Sequence, residues 1–263
     1  MKKRIIGLTL LGLVAYSVFL IATLPAARAW AWFGGGVPLQ AYGLDGTLWS
    51  GRAAVLQDQL RRLEAVQWQL RPVQLLLGRV AVDATGRLPD EGRLRGNFKL
   101  TPSAMHAEDL KFDLPATTLL QWAEIQLPVK VDGRFDSLLQ ELAVSQGRLI
   151  QANGIVNWHS ASLNLGRQPL PLGNIALRLE PADGAIKGTL MNQGSPLQLG
   201  GDLRLTPDGK FVLDINARLA GEADEATRQA FVNVGVPADG SPIQARLSGS
   251  LDGTGVRLES LNG

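Results

Sequence analysis

The fold class the sequence predicts is mainly β: an extended, twisted antiparallel sheet behind a single N-terminal transmembrane helix. Three observations lead there. The chain opens on an uncharged apolar run, Ile5–Leu24, placed directly after Lys2, Lys3 and Arg4. From Leu39 onward apolar and polar residues alternate, the signature of half-buried strands. Several landmarks then recur at a nearly constant offset, which predicts two degenerate tandem repeats with a short helix in each.

The apolar run has twenty residues. A helix rising ~1.5 Å per residue is then ~30 Å long, the thickness of a bilayer's hydrocarbon core. The basic triplet Lys2-Lys3-Arg4 belongs on the cytoplasmic side, which puts the rest of the chain across the membrane. Pro25 closes the run, and Trp30, Trp32 and Phe33 suit the outer headgroup belt. The alternative is a cleaved signal peptide, because Ala27-Arg28-Ala29 matches an A-x-A site. The run exceeds the ~7–15 residues of a signal h-region, so a retained anchor is favoured. The expected organisation is a cytoplasmic stub at 1–4, an anchor at 5–27, a juxtamembrane spacer at 28–39 containing Gly34-Gly35-Gly36, and a β domain at 40–263.

Composition narrows the function. Three of the 26 basic residues lie in the first four positions, leaving 23 against 24 acidic residues. That balance offers no basic field to nucleic acid. The absence of cysteine excludes disulfides, iron–sulfur clusters, thiol chemistry and a lipoprotein anchor. A domain outside the cytoplasm must then be held by its core, and 45% hydrophobic residues permit one.

Within the β domain, Val129-Lys-Val131-Asp, Leu177-Arg-Leu179-Glu, Leu203-Arg-Leu205-Thr and the long run Phe211–Leu219 alternate with period two. Asp-Gly pairs at Asp45, Asp132, Asp183, Asp208, Asp239 and Asp252, with Asn153-Gly154, read as tight turns rather than calcium loops. Helical spacing appears over Leu114–Ala123 and over Glu222–Val234, the second ended by Gly235 and Pro237. The repeat rests on four pairs: Trp49 with Trp158, Pro72 with Pro181, Pro102 with Pro207, and Pro128 with Pro237. Their offsets are 109, 109, 105 and 109 residues, giving halves of about 40–150 and 151–263.

The chemical inventory is sparse. His106, expected in a turn, and His159 form no H-x-x-x-H or H-x-E pair, so neither has a local zinc-ligand set. No nucleophile elbow, phosphate loop or dinucleotide fingerprint occurs. The carboxylates at Asp90-Glu91, Glu108-Asp109 and Glu222–Glu225 fall in loops and helix caps, where solvated charge is the default. Trp49, Trp68 and Trp158 fall on expected strands and Trp122 on an expected helix, so sheet packing outweighs carbohydrate stacking. Catalytic, cofactor and metal residues are all expected to be absent.

Leu44-Asp-Gly46-Thr47-Leu48-Trp49-Ser-Gly51, just beyond the anchor, resembles the start of the type II secretion system protein N family. The similarity continues in Trp68-Gln-Leu70-Arg-Pro72 with Leu75–Gly78, then in Leu114-Pro115-Ala-Thr-Thr-Leu. It extends to Gly154-Ile-Val-Asn-Trp158-His-Ser-Ala161 and Leu172-Gly173, and so covers almost the whole chain. The resemblance implies a non-enzymatic accessory component of the Gram-negative inner membrane, in the machine that exports folded proteins across the outer membrane. Its partners would be other components of that machine, and it has no catalytic residues to carry over. An interaction protein offering strand edges for β-augmentation is the first functional reading. The alternative is an anchored β-groove protein that binds or transfers lipid.

Overall fold

The computed structural model describes residues 2–36, 38–59, 61–75, 77–88, 90–122, 130–164, 169–219, 224–250, 255 and 257–261. Helix α1 (Lys2–Ala22) occupies the expected anchor. It ends before Pro25, whose ring disfavours helical backbone in Leu24. Among the described residues no helix is long and apolar enough to cross a membrane, so the expected span is not shown. The side chains of Lys2, Lys3 and Arg4 lie outside the described residues. Helix α2 (Ala26–Phe33) follows within the stretch expected as spacer and runs into a 3-10 turn at Gly34–Gly36.

Among the described residues the rest is one antiparallel sheet of fifteen strands, in which each strand from the third onward pairs with the next in the chain. The first half contains β1 (Gln40–Tyr42), β2 (Asp45–Gly46), β3 (Ser50–Gln57), β4 (Arg62–Leu70), β5 (Val80–Arg87), β6 (Arg93–Leu100), β7 (Ala104–Pro115) and β8 (Lys130–Ser145). The second contains β9 (Arg148–Asn164), β10 (Pro169–Ala182), β11 (Ala185–Gln193), β12 (Leu197–Leu205), β13 (Lys210–Leu219), β14 (Ile243–Ser250) and β15 (Arg257–Ser260). Strands β1 and β15 are the two edges. Short helices interrupt the meander: α3 (Pro72–Leu75), α4 (Ala116–Trp122) and α5 (Glu225–Asn233).

Because neighbours alternate in direction, the connections divide between two ends of the sheet. The α1–α2 junction, α3 and the β8–β9 and β10–β11 turns lie at one end, and α4 and α5 at the other. One face carries the apolar set of each strand. Ala107, Leu110 and Leu139 form one buried cluster, and Ala152, Ile186 and Leu205 a second. The third gathers Leu172, Ile175, Leu197 and Leu219 around Phe231 of α5, which is only 1% exposed. Asp224 caps α5 by accepting the Thr227 N–H at 2.9 Å. The outer face carries cross-strand ion pairs such as Arg134–Asp113, Lys99–Glu108 and Arg246–Asp214. The hydrogen-bonded Arg246 guanidinium holds the Asp214 carboxyl below its ordinary pKa. Exposed pairs of this kind add little to stability, because solvent screens the charges.

Several expected turns form. Asp183-Gly184 makes a two-residue hairpin turn with both residues at positive φ, closed by the Ala182–Ala185 pair. Asp208-Gly209 joins β12 to β13. Asp132-Gly133 and Asn153-Gly154 are not turns but lie inside β8 and β9 at shifts of register. Glycine supplies positive φ at irregular strand positions as it does in tight turns, so the dipeptide does not distinguish them. At Gly154, with φ +142°, a Cβ would run into the Leu138 carbonyl oxygen. His106, expected in a turn, lies exposed on β7 opposite Ala143. Leu114 and Pro115 close β7, so the helix begins at Ala116. Pro128, Val129, Glu222 and Asp252 lie outside the described residues.

Candidate functional site

The stretch Gly46–Gly51 joins the N-terminal helices to the sheet. Asp45 and Gly46 pair with Arg52 and Gly51 of β3. Arg52 donates to the Asp45 carboxylate at 2.5 and 3.0 Å, and the Gly46 N–H donates at 2.8 Å. The Arg52 hydrogen bond, then the Gly46 N–H, hold that carboxyl below its ordinary pKa. Next the chain turns sharply: the Thr47 N–H donates to Ser50 O at 2.9 Å, and the Ser50 N–H to Thr47 Oγ1 at 3.2 Å. Leu48 and Trp49 sit at the tip of this turn. Strand alternation therefore does not apply to Trp49, which lies in a turn rather than on the expected strand.

The tip grips the end of α1. A helix leaves its last carbonyls without intrahelical donors. The Trp49 indole Nε1 donates to Ile21 O at 2.8 Å, and the Leu48 N–H to Leu24 O at 2.9 Å. Pro25 forms a bridge with Thr47. From the sheet side, Trp68 Nε1 donates to Leu48 O at 3.0 Å, and the Leu70 N–H to Trp49 O at 2.7 Å. Trp49 therefore acts through its N–H as well as its area. We expect Trp49→Ala to lower the melting temperature and the protein level together, and Trp49→Phe to be intermediate. Thermal unfolding of both variants checks this. Phe equal to wild type would show that the Ile21 bond contributes nothing.

Trp68 lies in a row of small residues, opposite Gly51 on β3 and Ala84 on β5, with Gly96 beyond on β6. A Cβ on Gly51 would stand 2.5 Å from Trp68 Cζ2 and within 2.9 Å of the carbonyl oxygens of Asp45 and Thr47. Beside this row is a partly open apolar cavity of about 420 Å³. Ala26, Ala29 and Trp30 of α2 line one side, and Leu48, Val66 and Val82 belong to the other. Ala26 and Ala29 are each 4% exposed, so α2 lies against the sheet rather than trailing as a spacer. The spacing of Ala26, Ala29 and Trp30 is the i, i+3, i+4 pattern that could have revealed this helix face.

The remaining expected residues are scattered. Pro72 opens α3, where its fixed φ suits a first helical position. Trp158 stands in the middle of β9, stacked on Phe135 at 5.3 Å, with its Nε1 donating to Asp132 O at 3.0 Å. Pro181 is in β10 beside the turn to β11. The pairs Trp49–Trp158 and Pro72–Pro181 thus occupy unlike local positions. Even so, α4 before β8 and α5 before β14 each follow five strands, although α3 in the first half has no counterpart among the described residues of the second. His159 Nε2 faces Asp136 Oδ1 on the exposed surface. Among the described residues no three His, Cys, Asp or Glu side chains are grouped to hold a metal. Asp90 accepts from Thr118, Glu108 pairs with Lys99, and Asp224 caps α5, so these carboxylates have structural partners.

The family described as type II secretion system (T2SS), protein N matches residues 38–246. The chain is 26% identical over 259 residues to the type II secretion system protein N of Aeromonas hydrophila, covering 95% of this chain and all of that one. It is 26% identical over 213 residues to the protein of that name from Vibrio cholerae serotype O1, covering 80% and 84% of the two chains. The Pectobacterium carotovorum protein of that name is 26% identical over 207 residues, covering 75% and 78%. No solved structure matches.

Proposed function

The chain belongs to the type II secretion system protein N family, and from that premise we propose that it is a non-enzymatic accessory component of the secretion machine. In this reading α1 holds it in the inner membrane with the N-terminus cytoplasmic, and the sheet acts in the periplasm through contacts with other secretion components. The carrying observation is the family match across nearly the whole sheet, coupled to the clamp that ties α1 to it.

The anchor draws support from α1 itself. Leu11, Leu13, Tyr16, Val18, Phe19 and Ile21 are each more than half exposed and point round the whole helix. A helix apolar on every side needs an apolar surrounding. Ser17 and Thr23 turn their hydroxyls back onto Leu13 O and Phe19 O, which satisfies both within the backbone. Retention rather than cleavage draws support from Ala29, which is helical and buried against the sheet. Among the described residues β1 and β15 end the strand order, and such edges offer backbone for β-augmentation. The corresponding positions of α4 and α5, each after five strands, support an origin by tandem duplication.

An alkaline phosphatase fusion after Gly263 tests the topology. We expect an active fusion on a full-length chain. An inactive fusion, or a mature protein beginning at Trp30, would reject the anchor.

A further inference from the structure

We propose that the apolar cavity beneath α2 takes one acyl chain of a membrane lipid. The inference rests on the anchor reading, since it places this end of the sheet on the bilayer. Three observations carry it. First, the cavity is a site without polar demands. Its lining comes from alanines, branched aliphatics, glycine and the indoles of Trp30 and Trp68, and the Trp68 N–H is already taken by Leu48 O. A volume of about 420 Å³ falls among small-molecule pockets, ~300–1,000 Å³, yet nothing in it would orient a polar ligand. An occupant must be apolar along its whole buried length.

Second, the cavity begins where α1 ends. Ala26 lines it four residues after Ala22, and Leu48, another lining residue, is bonded to Leu24 O. Third, the same end of the sheet carries exposed apolar side chains. Val73 and Leu77 around α3 are 67% and 66% exposed. Exposed aliphatic groups beside a membrane helix are what an interfacial surface requires. Leu70 and Val82, on the strands flanking α3, both line the cavity. A chain leaving the bilayer beside α3 therefore passes between two apolar surfaces into the space under α2.

The test uses the full chain in nanodiscs doped with a phospholipid that carries a diazirine at the end of one acyl chain. After irradiation, labelled tryptic peptides are mapped by mass spectrometry. We expect label on the peptides 63–79 and 80–87, together with label on α1, which reports insertion independently. Ala84→Phe and Val82→Trp, which fill the cavity from two positions, should remove the sheet label several-fold and leave the α1 label unchanged. Label confined to α1 in the wild-type chain would overturn the proposal while leaving the anchor intact. Sheet label that persists in both filled variants would overturn it as well.

Discussion

Gly51→Ala should destabilise the sheet by roughly 3 kcal/mol or more, and secretion should fall with the protein level. Typical overpacking costs ~1–3 kcal/mol because neighbours can shift. Here two of the three nearest atoms are carbonyl oxygens of Asp45 and Thr47, fixed by the β2–β3 pairing and the tight turn. The third is Trp68 Cζ2 at 2.5 Å, on an indole held by its bond to Leu48 O. None of the three is the free end of a flexible side chain. The geometry also makes a second-site expectation. Trp68→Phe removes the Cζ2 atom, so Trp68→Phe with Gly51→Ala should lose less than the two single effects added together. Chemical denaturation of the four chains measures that coupling. Strict additivity would mean that Gly51 and Trp68 do not meet as described.

Phe231→Ala should cost ~3–5 kcal/mol, a large share of the ~5–15 kcal/mol that holds a domain together. Phe231 is 1% exposed and, with Ala230, carries α5 into the cluster of Leu172, Ile175, Leu197 and Leu219. Val236, whose N–H donates to the Phe231 backbone carbonyl at 3.1 Å, is buried in the same cluster at the start of the α5–β14 connection. Phe231→Leu, which keeps most of the volume, should be mild. A denaturation midpoint unchanged by the Ala substitution would show that α5 does not close this core.

The sheet was legible in the sequence because each strand buries one face. Alternation through Phe211–Leu219 and Leu203-Arg-Leu205 became β13 and β12, and Asp183-Gly184 became a hairpin. Turns were less legible where chemistry is shared. Asn153-Gly154 and Asp132-Gly133 serve bulges, while the tight turn at Gln146-Gly147, both at positive φ, carries no favoured dipeptide. Trp49 was found as a landmark but misplaced, since alternation cannot foresee that Thr47 and Ser50 bond each other and turn the chain. Helix α2 was hidden by its composition: an alanine-rich segment with two tryptophans after an apolar run reads as an interfacial belt. The cavity was out of reach altogether. It depends on the register that sets Gly51, Trp68, Ala84 and Gly96 in one row, and register is not written in any single strand.

Photo-crosslinking in secreting cells tests the central claim most directly. A photoreactive residue placed at Tyr42 on β1 or Glu259 on β15 probes the two open edges, where both positions are exposed. The account predicts discrete adducts with other type II secretion components from at least one edge, lost when the secretion machine is absent. Adducts from neither edge, in cells that secrete normally after this chain is deleted, would contradict it.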